Sequence, residues 1–138
     1  MTTSPARTLV VGLGCRTGCP ADHLGALLLG VLQAHCLRAD DILALASLDQ
    51  RANEPGLLEL ARQLNRPLTV LSADELAPLA DRLSHRSARV FAETGCHGVA
   101  ESAALALADR LAARPATLLV TRQQSRLATV AIAEAFPT

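Results

Sequence analysis

An alternation governs what this chain can fold into. Short, nearly unbroken apolar runs trade places with stretches whose apolar residues recur at helical spacing. Thr8-Leu9-Val10-Val11-Gly12 is an apolar run closed by glycine, the pattern of a strand buried in a parallel sheet. Pro20 stands where a helix begins, a place at which its missing N–H costs nothing. Leu24, Leu27, Leu28, Val31 and Leu32 follow as one stripe up to about His35. Ile42 to Leu48 reads as a second strand. Glu54-Pro55 opens a second helix, with Leu57, Leu60, Ala61 and Leu64 on one face. Pro67 to Leu71 is a third strand, and Ser72-Ala73-Asp74-Glu75 forms a capping box for the helix after it. Between Arg82 and Gly95 the pattern divides. Arg89 to Ala92 has strand character, but Ser87 as N-cap and Gly95 as stop favour a short helix. Val99 to Ala113 is strongly helical. Ala116 to Thr121 and Ala128 to Ala133 are the last strands. The polar turn Gln123 to Arg126 is too short for a crossover, so these two pair antiparallel. The expected fold is an α/β three-layer sandwich, with about five strands. The sheet is mostly parallel with an antiparallel C-terminal edge strand, in one domain over residues 1–138.

Composition narrows the function classes. At 138 residues the chain can bury one core without staples. Its only aromatic residues are Phe91 and Phe136, so the core is Leu, Ala and Val, and base-stacking platforms are missing. Thirteen basic and thirteen acidic residues cancel, which leaves no bulk basic surface for nucleic acid. Every basic side chain is Arg. Schiff-base and P-loop lysine chemistry are thereby ruled out. The apolar stretch Leu24 to Leu32 is broken by Gly25 and Gly30 and falls short of the roughly 20 residues of a membrane span. Met1 to Thr8 lacks the apolar region of a secretory leader, and four cysteines are sparse for a disulfide framework. The expectation is a reduced, cytoplasmic chain with neither nucleic acid nor membrane as partner.

Parallel strands place ligands outside their carboxyl ends. Gly12-Leu13-Gly14-Cys15-Arg16-Thr17-Gly18 occupies such a place, between a strand and a helix. Its glycines allow close backbone approach, and the helix start offers free N–H groups to an anion. The dinucleotide fingerprint fails: the third glycine comes one residue late, and the acidic residue about 20 positions on is missing. An anion- or carboxylate-binding turn and a purely structural turn both remain, with Arg16 as a fork for carboxylate in the first. Asp49, Arg51, Glu54 and Gly56 follow the second strand. Asp49 at the strand end is a candidate acid or base. Glu54 either faces a cleft or serves the helix dipole. His97 and Gly98 form another helix entry, with His97 either a proton carrier or an exposed loop residue. Glu101 in the first helical turn has a dipole role open to it as well. Cys15 and Cys19 have zinc-permissive spacing, but completing a site would need Cys96, His97 and His23. No metal site is expected.

Four blocks then point to a family: GLGCRTG, ASLDQRANEPGLLELA, GCHGVAESAALALA and LLVTRQQSRLATVAIA. In this order and spacing, from Leu9 to Glu134, they resemble the CobE/CbiG C-terminal family of cobalamin-biosynthesis proteins. The resemblance implies work on the corrin ring, with a precorrin or corrinoid intermediate as ligand, in the aerobic route near ring contraction. Two other roles follow from it: a hydrolase that opens a precorrin lactone with release of a two-carbon fragment, or a docking module for another pathway enzyme. Family-typical positions are Gly12, Gly14, Cys15, Arg16, Asp49, Glu54, Gly56, Gly98 and Glu101. Arg51 and Arg122 stand where the family often has lysine, which keeps charge but not a lysine's proton transfer. The expected ligand-binding set is Gly12, Gly14, Cys15, Arg16, Arg51, Glu54, Gly56, His97, Gly98 and Arg122. In the hydrolase reading Asp49 or Glu101 is the general base and Arg16 stabilises the oxyanion. No cofactor is implied, with cobalt present only if the bound intermediate carries it. Precorrins are flat apolar rings edged with carboxylates, and Arg16, Arg51 and Arg122, expected in loops after strands, suit such arms.

Overall fold

Side-chain alternation along one central strand sets the layers. The computed structural model describes residues 7–95, 97–112 and 114–136. In β1 (Leu9–Cys15), Leu9, Val11 and Leu13 point to one face of the sheet and Val10, Gly12 and Gly14 to the other. The first set packs against α1 (Ala21–Ala34) and α2 (Pro55–Leu64) through Leu24, Leu28, Leu57 and Leu60. On the opposite face, Val10 joins the core beneath α5 (Val99–Leu111). The result is the expected three-layer sandwich.

β1 runs parallel to β2 (Ile42–Leu48), and β2 parallel to β3 (Leu68–Leu71). β4 (Thr117–Gln124) and β5 (Ala128–Glu134) form an antiparallel hairpin, and the strand order is β3-β2-β1-β5-β4. β5 is the antiparallel strand, but it lies inside the sheet between β1 and β4, and β4 is the edge. Full pairing of β5 with β1 from Leu9↔Glu134 to Cys15↔Ala128 explains this. β5 is apolar and buried from Val130 to Ala133, which suits the interior, whereas β4 carries Thr121, Arg122, Gln123 and Gln124.

α5 is buried from Ala100 to Ala108 and is mostly alanine there, so its backbone sits close on the sheet. At Gly12 the approach is closest: a Cβ there would lie 1.8 Å from Ala100 O. Only glycine fits under that turn.

The capping box of Ser72 and Glu75 forms, but the helix it starts, α3 (Ala73–Leu76), lasts one turn. Pro78 has no N–H to continue it, and a 3₁₀ turn over Ala77–Arg82 follows. α4 (Ala88–Thr94) has Ser87 as N-cap and ends on Gly95 at φ 77°. β4 runs three residues past the expected Thr121. Its register shifts between Leu118 and Val120 and again between Val120 and Gln123. Arg122 therefore sits within a strand beside a bulge, which re-aims side chains, and not in a loop.

Candidate ligand-binding cleft

The carboxyl end of β1 opens into a cleft of about 500 Å³. One wall is Gly14, Cys15 and Arg16. Opposite stands the start of α5, Gly98 to Glu101. The β4–β5 hairpin closes a third side, from Arg122 through Ser125 to Thr129, and the 85–94 segment the fourth. The cleft lies where the connections from β1 and from β3 leave the sheet in opposite directions, the place at which open α/β sheets bind ligands.

The turn after β1 is held from below. Arg51 Nε donates to Cys15 O at 2.7 Å, and Glu54 Oε1 accepts from Gly18 N at 2.8 Å. Gly56 lets α2 touch the same turn, since a Cβ there would fall 2.0 Å from Cys19 O. Buried Ser47 donates to Leu13 O at 2.7 Å. The hairpin is tied back as well: Arg16 N donates to Leu127 O at 2.9 Å, and His23 Nε2 meets Ser125 Oγ at 2.7 Å. The walls are fixed before any ligand arrives.

Charge in the cleft is one-sided. Arg16, Arg51, Arg89, Arg122 and Arg126 line it, against a single carboxylate among the described lining residues, Glu101. That carboxylate is already consumed. Glu101 is 1% exposed and accepts from Ser84 N at 2.8 Å, Arg122 N at 2.7 Å, His85 N at 3.4 Å and the Ser84 hydroxyl. Burial pushes its pKa up, but these donors outweigh burial and hold the carboxyl below the usual glutamate range. Among the described residues, the guanidinium groups of Arg16, Arg122 and Arg126 have no acceptor. The start of α5 carries no side-chain cap, so its free N–H groups add to the positive field. Between the arginines the lining is apolar: Val90, Val99, Ala100, Leu127 and Ala128.

Gly14, Cys15, Arg16, Arg51, Gly98, Glu101 and Arg122 thus come together in one place. Gly12 lies beneath α5, and Glu54 and Gly56 act within the scaffold. Asp49 is exposed in the 3₁₀ turn Asp49–Arg51 and does not line the cleft. His97 stacks on Phe91 with ring centroids 4.5 Å apart, and it too is outside the lining. Cys96 lies outside the described residues. Burial, then Cys19 and Glu54, push the Cys15 thiol up to about 11 against the lowering effect of Arg51, so it is not a thiolate near neutral pH. Among the described residues no three His, Cys, Asp or Glu side chains are placed to hold a metal ion, and no helix is long and apolar enough to cross a membrane. His85, Arg89 and Arg126 were not singled out from the sequence. Arg126 sits in the polar hairpin turn and Arg89 in the divided 82–95 stretch, so only their convergence was hidden.

A family model described as the cobalamin synthesis G C-terminus matches residues 9–133. The chain is 42% identical over 132 residues to Protein CobE of Sinorhizobium sp, covering 96% of this chain and 83% of that one. It is 28% identical over 99 residues to a cobalt-precorrin-5A hydrolase of Priestia megaterium, covering 72% of this chain but 26% of the hydrolase. The crystal structure of CobE, a protein of the vitamin B12 pathway, superposes with a TM-score of 0.90 at 41% identity, covering 100% of this chain and 97% of that one. The structure of the cobalamin biosynthesis protein chiG of Agrobacterium tumefaciens follows with a TM-score of 0.70 at 28% identity, covering 93% and 98%.

Proposed function

The chain belongs to the family of the cobalamin synthesis G C-terminus and is a protein of cobalamin biosynthesis, and from that premise we propose that its cleft binds a precorrin or corrinoid intermediate. One observation carries this reading: five arginines surround a partly apolar cleft whose one carboxylate is saturated by internal donors. A flat apolar ring with acetate and propionate arms matches that arrangement. The arms pair with the guanidinium groups, Arg16, Arg122 and Arg126 first because no acceptor in the described structure engages them. The ring rests on Val99, Ala100 and Leu127. An arginine is well suited here because its planar fork takes a carboxylate bidentately.

The hydrolase reading has less support in this chain. The relative named as a hydrolase is about four times as long as the matched region. Asp49 stands outside the cleft, and the lone pairs of Glu101 are taken. A carrier or delivery role for the intermediate, in the aerobic route near ring contraction, fits a site built for binding.

Visible-absorbance titration tests this, with hydrogenobyrinic acid as the ring. The expected result is a saturable spectral change with the wild type and a roughly ten-fold weaker one with Arg16→Ala, the loss of one charge-assisted pair. No saturable change at micromolar protein overturns the reading.

A further inference from the structure

Beside the arginines, a row of three side chains reaches the cleft. The Ser84 hydroxyl lies between a Glu101 carboxylate oxygen and His85 Nδ1, the latter at 2.7 Å. An ionised carboxylate can only accept, so the single hydroxyl proton of Ser84 goes to Glu101. The hydroxyl oxygen is then the acceptor for His85 Nδ1–H, and this fixes the tautomer. In the neutral ring Nε2 has only a lone pair, on the edge turned away from Ser84. His85 lines the cleft, and its side chain is 49% exposed, so a ligand can reach that edge. The backbone is held as well. His85 N donates to Glu101 at 3.4 Å, and His85 O packs against Gly98, where a Cβ would come within 3.4 Å.

A lone pair at Nε2 repels a carboxylate, whose oxygens are acceptors too. One added proton reverses this. Nε2–H becomes a charge-assisted donor, while Nδ1–H keeps its bond to Ser84. The buried carboxylate of Glu101, 3.9 Å from Nδ1, then lies beside a positive ring. The other charged groups among the described lining residues are all cations: Arg89 of α4, Arg122 of β4, Arg126 of the hairpin turn, Arg16 after β1 and Arg51 after β2. A ligand with several carboxylates offsets these cations and gives Nε2 a partner. We propose that His85 binds a carboxylate arm of the ligand as the imidazolium, so that binding takes up one proton at Nε2. The proposal rests on the reading of the ligand as a ring with carboxylate arms, and it adds a proton-dependent contact to the five permanent cations. No covalent bond to the ligand forms. The proton comes from solvent to the Nε2 lone pair and returns to solvent on release. Because ligand and proton favour each other equally, the affinity for a carboxylate-bearing ring rises as pH falls through the imidazole range.

Calorimetric titration with hydrogenobyrinic acid tests this. In buffers of unlike ionisation enthalpy at pH 7, the wild type is expected to show net proton uptake on binding. Its Kd is expected to fall on the order of ten-fold, the worth of one charge-assisted pair, between about pH 8.5 and about pH 5.5. Free carboxylic acids of the ring stay ionised over most of that range, and imidazoles titrate within it. The Cys15 thiol, also in the cleft, is pushed up to about 11 and keeps its proton throughout. His85→Gln keeps a polar side chain that cannot be charged. It is expected to bind the ring with a flat pH profile and without the proton uptake, which also separates His85 from His23 at the hairpin. A variant with the wild-type profile, or a wild type whose Kd is the same or larger at the lower pH, overturns the proposal and leaves the binding reading intact. No saturable binding at any pH overturns both.

Discussion

Glu101→Gln is the most informative single substitution, because Glu101 joins three elements that build the cleft. Its carboxylate oxygens accept from Ser84 N and His85 N on one side and from the Ser84 hydroxyl and Arg122 N on the other. Glutamine keeps the size but turns one acceptor into an NH₂ donor. The Ser84 hydroxyl can rotate to accept from it, but the Arg122 N–H, now 2.7 Å from its acceptor, cannot. An orphaned buried N–H costs about 1–3 kcal/mol, and the remaining bonds lose their charge assistance. The sum is about 3 kcal/mol. In a domain of this size each kcal/mol moves Tm by about 3–4 °C, so the expected fall is roughly 10 °C. Thermal melts followed by circular dichroism at pH 7 check it. The difference also has a pH signature. The folded pKa of Glu101 lies below its unfolded value, so its charged form stabilises the fold fully above about pH 4.5 and loses that effect as pH falls through the folded pKa. The gap between wild type and variant is expected to narrow between pH 5 and pH 3. A variant that melts within 2 °C of wild type at pH 7, by the roughly 3–4 °C per kcal/mol used here, refutes the role given to Glu101.

Other outcomes follow from single contacts. Gly12→Ala places a Cβ 1.8 Å from Ala100 O, and a loss of about 3 kcal/mol is expected in urea denaturation, with a wild-type midpoint as the contrary result. The affinity for a corrin ring is expected to drop several-fold between low salt and 0.5 M salt, since exposed Arg16 and Arg126 are screened; a salt-independent Kd contradicts the arginine contacts. Thiol labelling at pH 8 is expected to modify exposed Cys36 well before Cys15, whose thiol is pushed up to about 11. Equal labelling rates contradict the burial of Cys15.

Local pattern carried most of the secondary structure. The apolar runs, the Ser72 capping box and the Ser87–Gly95 boundaries are written in neighbouring residues, and the structure has them where the pattern places them. The place of β5 between β1 and β4 is not local: it depends on which strand offers a free edge, and nothing in the hairpin itself encodes that. The same holds for the glycines. Gly12 and Gly56 looked alike to Gly14 in sequence, but two of them answer close approaches from elements distant in the chain. Glu101 read as a dipole residue because three of its donors come from segments 16 to 21 residues away. The arginines were legible as residue types. Their convergence needed the β4 bulges and the 82–95 segment, whose course no periodicity fixes.

The central claim is that this cleft, and no other surface, receives the ring. Amide chemical-shift mapping of ¹⁵N-labelled protein titrated with hydrogenobyrinic acid addresses it directly. The largest shifts are expected at Gly14 to Arg16, Gly98 to Glu101 and Arg122 to Thr129. Shifts concentrated on the outer faces of α1 and α2, around exposed Leu29 and Leu58, would contradict it.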